Sequence, residues 1–146
     1  MPSRQFSLRL SLFNAVLFLG SGIQLPFLPL WLKGQGLPDS QVALIAAMMM
    51  AVRLAGIPLG AFIADVTRQR RAVIIACAFS ATAAYLLLHF MSGFWPILIT
   101  GMAAAALLAP VVPLTEVMAV DGSARYGLDY GRIRLWASLS FLAGSI

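Results

Sequence analysis

Between Arg9 and Lys33 the chain carries no charged side chain. The same pattern holds between Asp39 and Asp65, broken only by Arg53, and from Ala72 to Thr115 without interruption. A helix crosses the hydrocarbon core of a bilayer with about 20 mostly apolar residues, so each of these runs is long enough to span. The rest of the composition leaves no soluble alternative. Only 10% of the residues are charged and 61% are hydrophobic, whereas soluble domains carry about a quarter charged residues. There is too little polar surface to cover a core, and the bilayer has to act as the solvent. The fold class is therefore an all-α membrane protein.

The charge boundaries predict spans over 10–32, 41–64, 72–91 and 96–119, and an apolar run over 135–146 that opens a fifth. The uncharged stretch from Ala72 to Thr115 suits two spans and a turn, which Ser92, Gly93, Phe94, Trp95 and Pro96 supply: Gly and Pro break helices and Trp favours the membrane interface. The fifth run stops at about half the spanning length, so the expectation is one domain over 1–146, the N-terminal part of a longer bundle whose C-terminal half is missing. Arg4 and Arg9 resemble the start of a signal peptide, but the apolar region is too long and no small-x-small cleavage site follows. The first helix is expected to be retained.

Orientation follows from Lys and Arg. With the N-terminus in the cytoplasm, Arg4, Arg9, Arg68, Arg70, Arg71, Arg125, Arg132 and Arg134 all fall inside and only Lys33 falls outside, which satisfies the positive-inside rule. A multi-pass protein of the inner membrane is the expected location. The net charge of +5 is not a nucleic-acid signal, since the basic residues punctuate apolar runs and form no basic, aromatic-laced face. Cys77, the sole cysteine, excludes an internal disulfide and reads as a small buried hydrophobe.

Few residues are placed to do chemistry. Walker A, His-Glu-x-x-His and Gly-x-Ser-x-Gly patterns are missing, and one histidine, His89, is too few for a metal or haem site. No catalytic residue, metal site or cofactor is expected, and a membrane-embedded enzyme is disfavoured. Arg53 is more informative. A charge at mid-membrane costs about 2.5–3.5 kcal/mol on insertion scales, so it faces a partner or a wet cavity. Gly56, Gly60 and Ala64 follow at four-residue spacing, a small-residue face for close helix packing. Arg53 lies on the same side of that helix. A structural role, as a charge pair or through bonds to carbonyls, and a role in substrate binding or coupling both stand at this point. Asn14, Ser21 and Gln24 share one stripe of the first span, where they either bond neighbouring helices or line an aqueous path.

Two proline signatures match. Pro26-Phe27-Leu28-Pro29-Leu30 ends the first span and Pro110-Val111-Val112-Pro113-Leu114 lies late in the fourth. Those spans run in opposite directions, so the match has the form of an inverted-topology repeat, as in many transporters, where proline-interrupted segments point toward the binding site. Glu116, near the inner end of the fourth span, reads either as an acid paired with a loop arginine or as a proton carrier, a role that buried carboxylates fill because burial raises their pKa.

Several stretches resemble the phenylpropionate permease branch of the major facilitator superfamily, itself similar to the lactose permease group. They are Leu25-Pro26-Phe27, Trp31-Leu32-Lys33-Gly34, Val52-Arg53-Leu54-Ala55-Gly56, Val112-Pro113-Leu114-Thr115-Glu116 and the run from Leu128 to Trp136 containing Asp129-Tyr130-Gly131-Arg132. The resemblance implies a transporter of twelve helices in two six-helix bundles, of which this chain supplies N-terminal helices, working by alternating access with proton coupling. In the lactose permease pattern a helix-four acid and a helix-five arginine contact substrate, and Glu116 and Arg134 have the same spacing. The superfamily's loop after helix two resembles Gly-x-x-x-Asp-Arg-x-Gly-Arg-Arg. Here Ala61, Asp65, Val66, Arg68, Gln69 and Arg70 stand at its positions, so both glycines are lost, while Asp65 and Arg70 remain to pair and gate.

The leading reading is a proton-coupled symporter of a small organic solute, with an aromatic carboxylate suggested by the arginines, the aromatics and the resemblance. Its expected partners are the solute, the proton, the bilayer and the missing half. A sugar or nucleoside symporter of the same fold is one alternative. A non-transporting membrane assembly or receptor subunit is another, and it leaves Arg53, Glu116 and the paired prolines unexplained together.

Overall fold

The computed structural model describes residues 2–126 and 130–145, with the side chains of residues 2–7, 9, 125, 126, 130, 132 and 133 outside the description. Gly127, Leu128, Asp129 and Ile146, which fall in the Leu128–Trp136 resemblance and in the last apolar run, therefore also lie outside it. Arg4, Arg9, Arg125 and Arg132, used above for orientation, are described as backbone only. Apart from short turns the described chain is helical: α1 Pro2–Gly34, α2 Asp39–Thr67, α3 Arg70–His89, α4 Phe94–Leu108, α5 Val111–Tyr126 and α6 Tyr130–Ser145. Four segments are long and apolar enough to cross a membrane: Leu10–Gly34, Asp39–Thr67, Arg70–His89 and Phe94–Ala124. Three of them contain a run read from the sequence and extend beyond it at one or both ends; the third starts before 72 but ends at His89, two residues short of the expected 91.

Two differences from the sequence reading have local causes. The turn between the third and fourth spans is shorter than Ser92–Pro96. Gly93 takes φ +85°, a left-handed conformation that suits glycine, and α4 starts at the next residue. Trp95 and Pro96 therefore lie in its first turn, where a missing N–H costs nothing. The fourth span is broken between α4 and α5 at Ala109 and Pro110. Pro110 and Pro113 withhold the N–H groups that would ordinarily bond the carbonyls of Ala106 and Ala109. The Leu114 N–H still bonds the Pro110 carbonyl at 3.1 Å, so the helix resumes at once. By contrast, Pro26 and Pro29 sit inside an unbroken α1.

The chain divides into two compact units. Residues 31–114 form one and Met1–Leu30 with Thr115–Ile146 form the other. In the first unit α4 packs against both α2 and α3, with Ile97, Ala104 and Ala105 fully buried. A Cβ on Gly101 would meet the Met49 Sδ at 3.2 Å, one on Gly56 would meet the Ala106 carbonyl oxygen at 2.7 Å, and Gly60 abuts the Pro110 ring. Position in α2 and position in α4 rise together through these contacts, so the two helices run parallel. In the second unit Gly22 abuts the Phe141 carbonyl, and a Cβ on Gly144 would lie 2.6 Å from the Leu19 oxygen. Glycines thus let α1 and α6 meet at backbone distance. Large apolar side chains such as Leu54, Phe62, Phe79 and Phe90 are exposed, a surface suited to lipid rather than water.

Candidate functional site

In the unit built on α1, α5 and α6, the Arg134 guanidinium meets the Glu116 carboxylate at 3.2 Å. Glu116 lies nearly three turns before the end of α5 and Arg134 about one turn after the start of α6. The side chains are 60% and 36% exposed, so the pair is open on one side in these residues. Asn14 is buried in α1 and Gln24, two to three turns further on, is half-buried. Between them Ser21 donates its hydroxyl to the Leu17 carbonyl at 3.0 Å, which leaves the oxygen only as an acceptor.

In the unit containing α2, α3 and α4, Arg53 is half-buried and, among the described residues, makes no ion pair or side-chain hydrogen bond. It occupies the one charged position in the stripe Met49, Arg53, Gly56, Gly60, whose other members touch α4 or, for Gly60, Pro110 in the break just after it. By that register it is level with the alanines at 103–105. The acids of this unit, Asp39 and Asp65, are at the two ends of α2, about 20 Å and 18 Å along the axis from Arg53.

The other ion pairs are at helix ends. Lys33 and Asp39 close the α1–α2 loop at 2.8 Å; they also place a cation at a helix C-terminus and an anion at an N-terminus, which the helix dipoles favour. Asp65 and Arg70 lie 3.6 Å apart across the α2–α3 turn. That turn forms despite the lost glycine: Arg68 itself takes the left-handed conformation, φ 53° and ψ 20°, as the C-cap of α2. Ser123 is a residue the sequence reading passed over. Its hydroxyl is buried and has no hydrogen-bond partner, and its place seven residues after Glu116, on the same face of α5, was the available signal.

Residues 7–146 match the MFS_1 like family. The chain belongs to that family, within the major facilitator superfamily. Among curated proteins it is 32% identical to the probable 3-phenylpropionic acid transporter of Escherichia coli over 88% of this chain and 34% of that one. It is 27% identical to the maltose permease of Geobacillus stearothermophilus over 89% of this chain and 33% of that one. It is 30% identical to the uncharacterized transporter YwbF of Bacillus subtilis, over 85% and 31%. The chain spans about a third of the length of these relatives, and no solved structure matches it significantly.

Proposed function

We propose that this chain forms the first spans of a secondary active transporter of the inner membrane, with a cytoplasmic N-terminus, that moves a small organic solute by alternating access in symport with protons. The observation that carries the reading is the Glu116–Arg134 pair, set where the fourth span ends and the fifth begins. An acid that alternates between pairing with arginine and taking a proton couples two ligands to one site, because each state of the acid changes what the arginine can bind. In this reading Arg134, Asn14 and Gln24 in one unit, and Arg53 in the other, each serve substrate binding or coupling, and Asp65 with Arg70 gates the cytoplasmic side. A second half of the protein completes the cavity.

The substrate we favour is an aromatic carboxylate. Arg53 has no acid in its own unit nearer than the ends of α2, and a planar guanidinium matches a carboxylate with two parallel hydrogen bonds. The relative named for 3-phenylpropionic acid agrees with it. A sugar is the second reading, favoured by the relative named as a maltose permease. Uptake by the full-length protein in proteoliposomes under an imposed pH gradient separates them, with labelled arylpropionates and disaccharides compared side by side. Acid-stimulated uptake of an arylpropionate alone supports the carboxylate reading. Uptake of the disaccharide alone replaces it, and no response to the gradient removes proton coupling.

A further inference from the structure

Prolines stand three residues apart at two places in the chain, in Pro26-Phe27-Leu28-Pro29-Leu30 and in Pro110-Val111-Val112-Pro113-Leu114. The chain also passes between its two compact units at two places, from Leu30 to Trp31 and from Leu114 to Thr115. The places coincide. Each motif is the last segment of the unit that the chain is leaving, in one direction and then in the other. Pro58, inside α2, lies at neither crossing.

Each motif loosens its helix along one side. Pro26 and Pro29 have no N–H to give the carbonyls of Gly22 and Leu25, and Pro110 and Pro113 have none for those of Ala106 and Ala109. Residues three apart share a helix face, so two neighbouring bonds are missing along one face just before each crossing. Helices bend at such prolines, and the missing bonds make bending easiest in one plane. In α1 the helix continues through the motif, whereas the fourth span breaks and restarts within it.

Just ahead of each loosened segment the backbone is clamped. Gly22, four residues before Pro26, abuts the Phe141 carbonyl, and the Leu19 oxygen lies 2.6 Å from where a Cβ on Gly144 would stand. Ala106, four residues before Pro110, sets its carbonyl oxygen 2.7 Å from the Cβ position of Gly56, and Pro110 itself seats against Gly60. Each clamp is made within a single unit, at a glycine that lets two backbones meet. The order is the same both times: a backbone clamp, two missing hydrogen bonds, then the crossing. A fixed anchor followed by a few compliant residues at the edge of a compact body is how hinges are built.

We propose that the two Pro-x-x-Pro-Leu segments are paired hinges, on which the unit of residues 31–114 moves relative to the unit of residues 1–30 and 115–146. Because the chain joins the units at these two places only, both segments bend together, and stiffening either one restrains the motion. The device is independent of the solute carried.

Pulsed electron-spin distance measurements on the full-length protein test it, with nitroxide labels on cysteines in a Cys77→Ser background. Gln69→Cys with Ala124→Cys puts one exposed label in each unit, and Gln35→Cys with Gln69→Cys puts two exposed labels in the unit of residues 31–114. The between-unit pair is expected to give a broad or double distance distribution, and the within-unit pair a single narrow one. Pro29→Ala and Pro113→Ala each restore a backbone N–H. Either is expected to shrink the between-unit distribution to the width of the within-unit pair. Pro58→Ala, at an exposed helix proline away from both crossings, is expected to leave it broad. A between-unit distribution already as narrow as the within-unit one, with all prolines in place, overturns the proposal even if a proline variant fails to fold. Unchanged breadth in a folded Pro29→Ala or Pro113→Ala overturns it too, as does equal narrowing by Pro58→Ala.

Discussion

At the scale of single residues, what matters is how a charge is compensated. Arg53 sits mid-span with no partner among the described residues, so no ion pair or side-chain hydrogen bond there offsets its insertion cost of about 2.5–3.5 kcal/mol. Arg53→Ala in the full-length protein is expected to abolish uptake with insertion largely intact. If Arg53→Ala instead destroys expression and Arg53→Met restores expression and uptake together, the charge was structural. The Glu116–Arg134 pair poses the opposite problem. With side chains 60% and 36% exposed, a pair facing water contributes about 0–1 kcal/mol. Covered by the rest of a transporter, the loss of one partner strands a charge and costs about 3–5 kcal/mol. Glu116→Gln and Arg134→Lys are each expected to abolish uptake, the second because lysine lacks the planar fork of donors. Normal uptake kinetics in both variants would return the residues to loop-edge charges. Arg53 was legible in the sequence because depth alone makes a charge conspicuous in an apolar run, whereas Glu116 and Arg134 were singled out by their spacing and the resemblance. Ser123 was not, because a serine in a helix usually bonds its own backbone and only the packed structure reveals that this one does not.

At the scale of elements, close approach is decided by which atoms a missing Cβ leaves room for. The glycine spacing on α2 pointed to a packing face, but not to what packs there: the Ala106 carbonyl against Gly56 and the Pro110 ring against Gly60. Both neighbours are rigid, so Gly56→Ala and Gly60→Ala are expected to destabilise by about 1–3 kcal/mol, the range for overpacking a tight contact. Gly20→Ala, with nothing within 4 Å of its Cβ, is the control, and thermal unfolding in detergent compares the three. Equal melting temperatures would mean that α2 and α4 are not held this closely. The paired Pro-x-x-Pro-Leu segments show the limit of motif reading, since one leaves α1 whole and the other divides the fourth span. Local chemistry is the same in both; the seat of Pro110 on Gly60 is tertiary and invisible in either segment. The α2–α3 turn gives the converse lesson. Loss of its glycine left the turn's formation open, and the chain makes it with Arg68 at φ 53°, at a cost of about 1–2 kcal/mol for a residue with a Cβ. Arg68→Gly is expected to raise stability by up to about that amount, and a lower melting temperature would show that the arginine's own contacts outweigh its strain.

At the scale of the whole molecule, alternation of apolar runs with charged loops determined most of the architecture, since each run had one way to satisfy its backbone in lipid. What alternation leaves undecided is the side of the membrane on which each loop lies, and that depends on charge. The α2–α3 turn carries Arg68, Arg70 and Arg71, and the segment joining the fourth and fifth spans carries Arg125, Arg132 and Arg134, while the α1–α2 loop carries Lys33 alone. Moreover, Lys33 is paired with Asp39 at 2.8 Å. Acids count for little in the positive-inside rule, so the bias does not depend on that pairing; it rests on the arginines. The expected topology has the N-terminus, residues 67–71 and residues 122–134 in the cytoplasm, with residues 34–38 outside. Single cysteines introduced into a Cys77→Ser background of the full-length protein report it directly. In intact cells a membrane-impermeant thiol reagent is expected to modify Gln35→Cys and to spare Arg68→Cys and Arg125→Cys, and permeabilisation should expose the latter two. Gln35 suits the purpose because it follows the end of α1 and is exposed, so its failure to react would reflect sidedness and not burial. Labelling of Arg68→Cys from outside would invert the orientation, and with it the placement of Glu116 and Arg134 on the cytoplasmic side of the cavity.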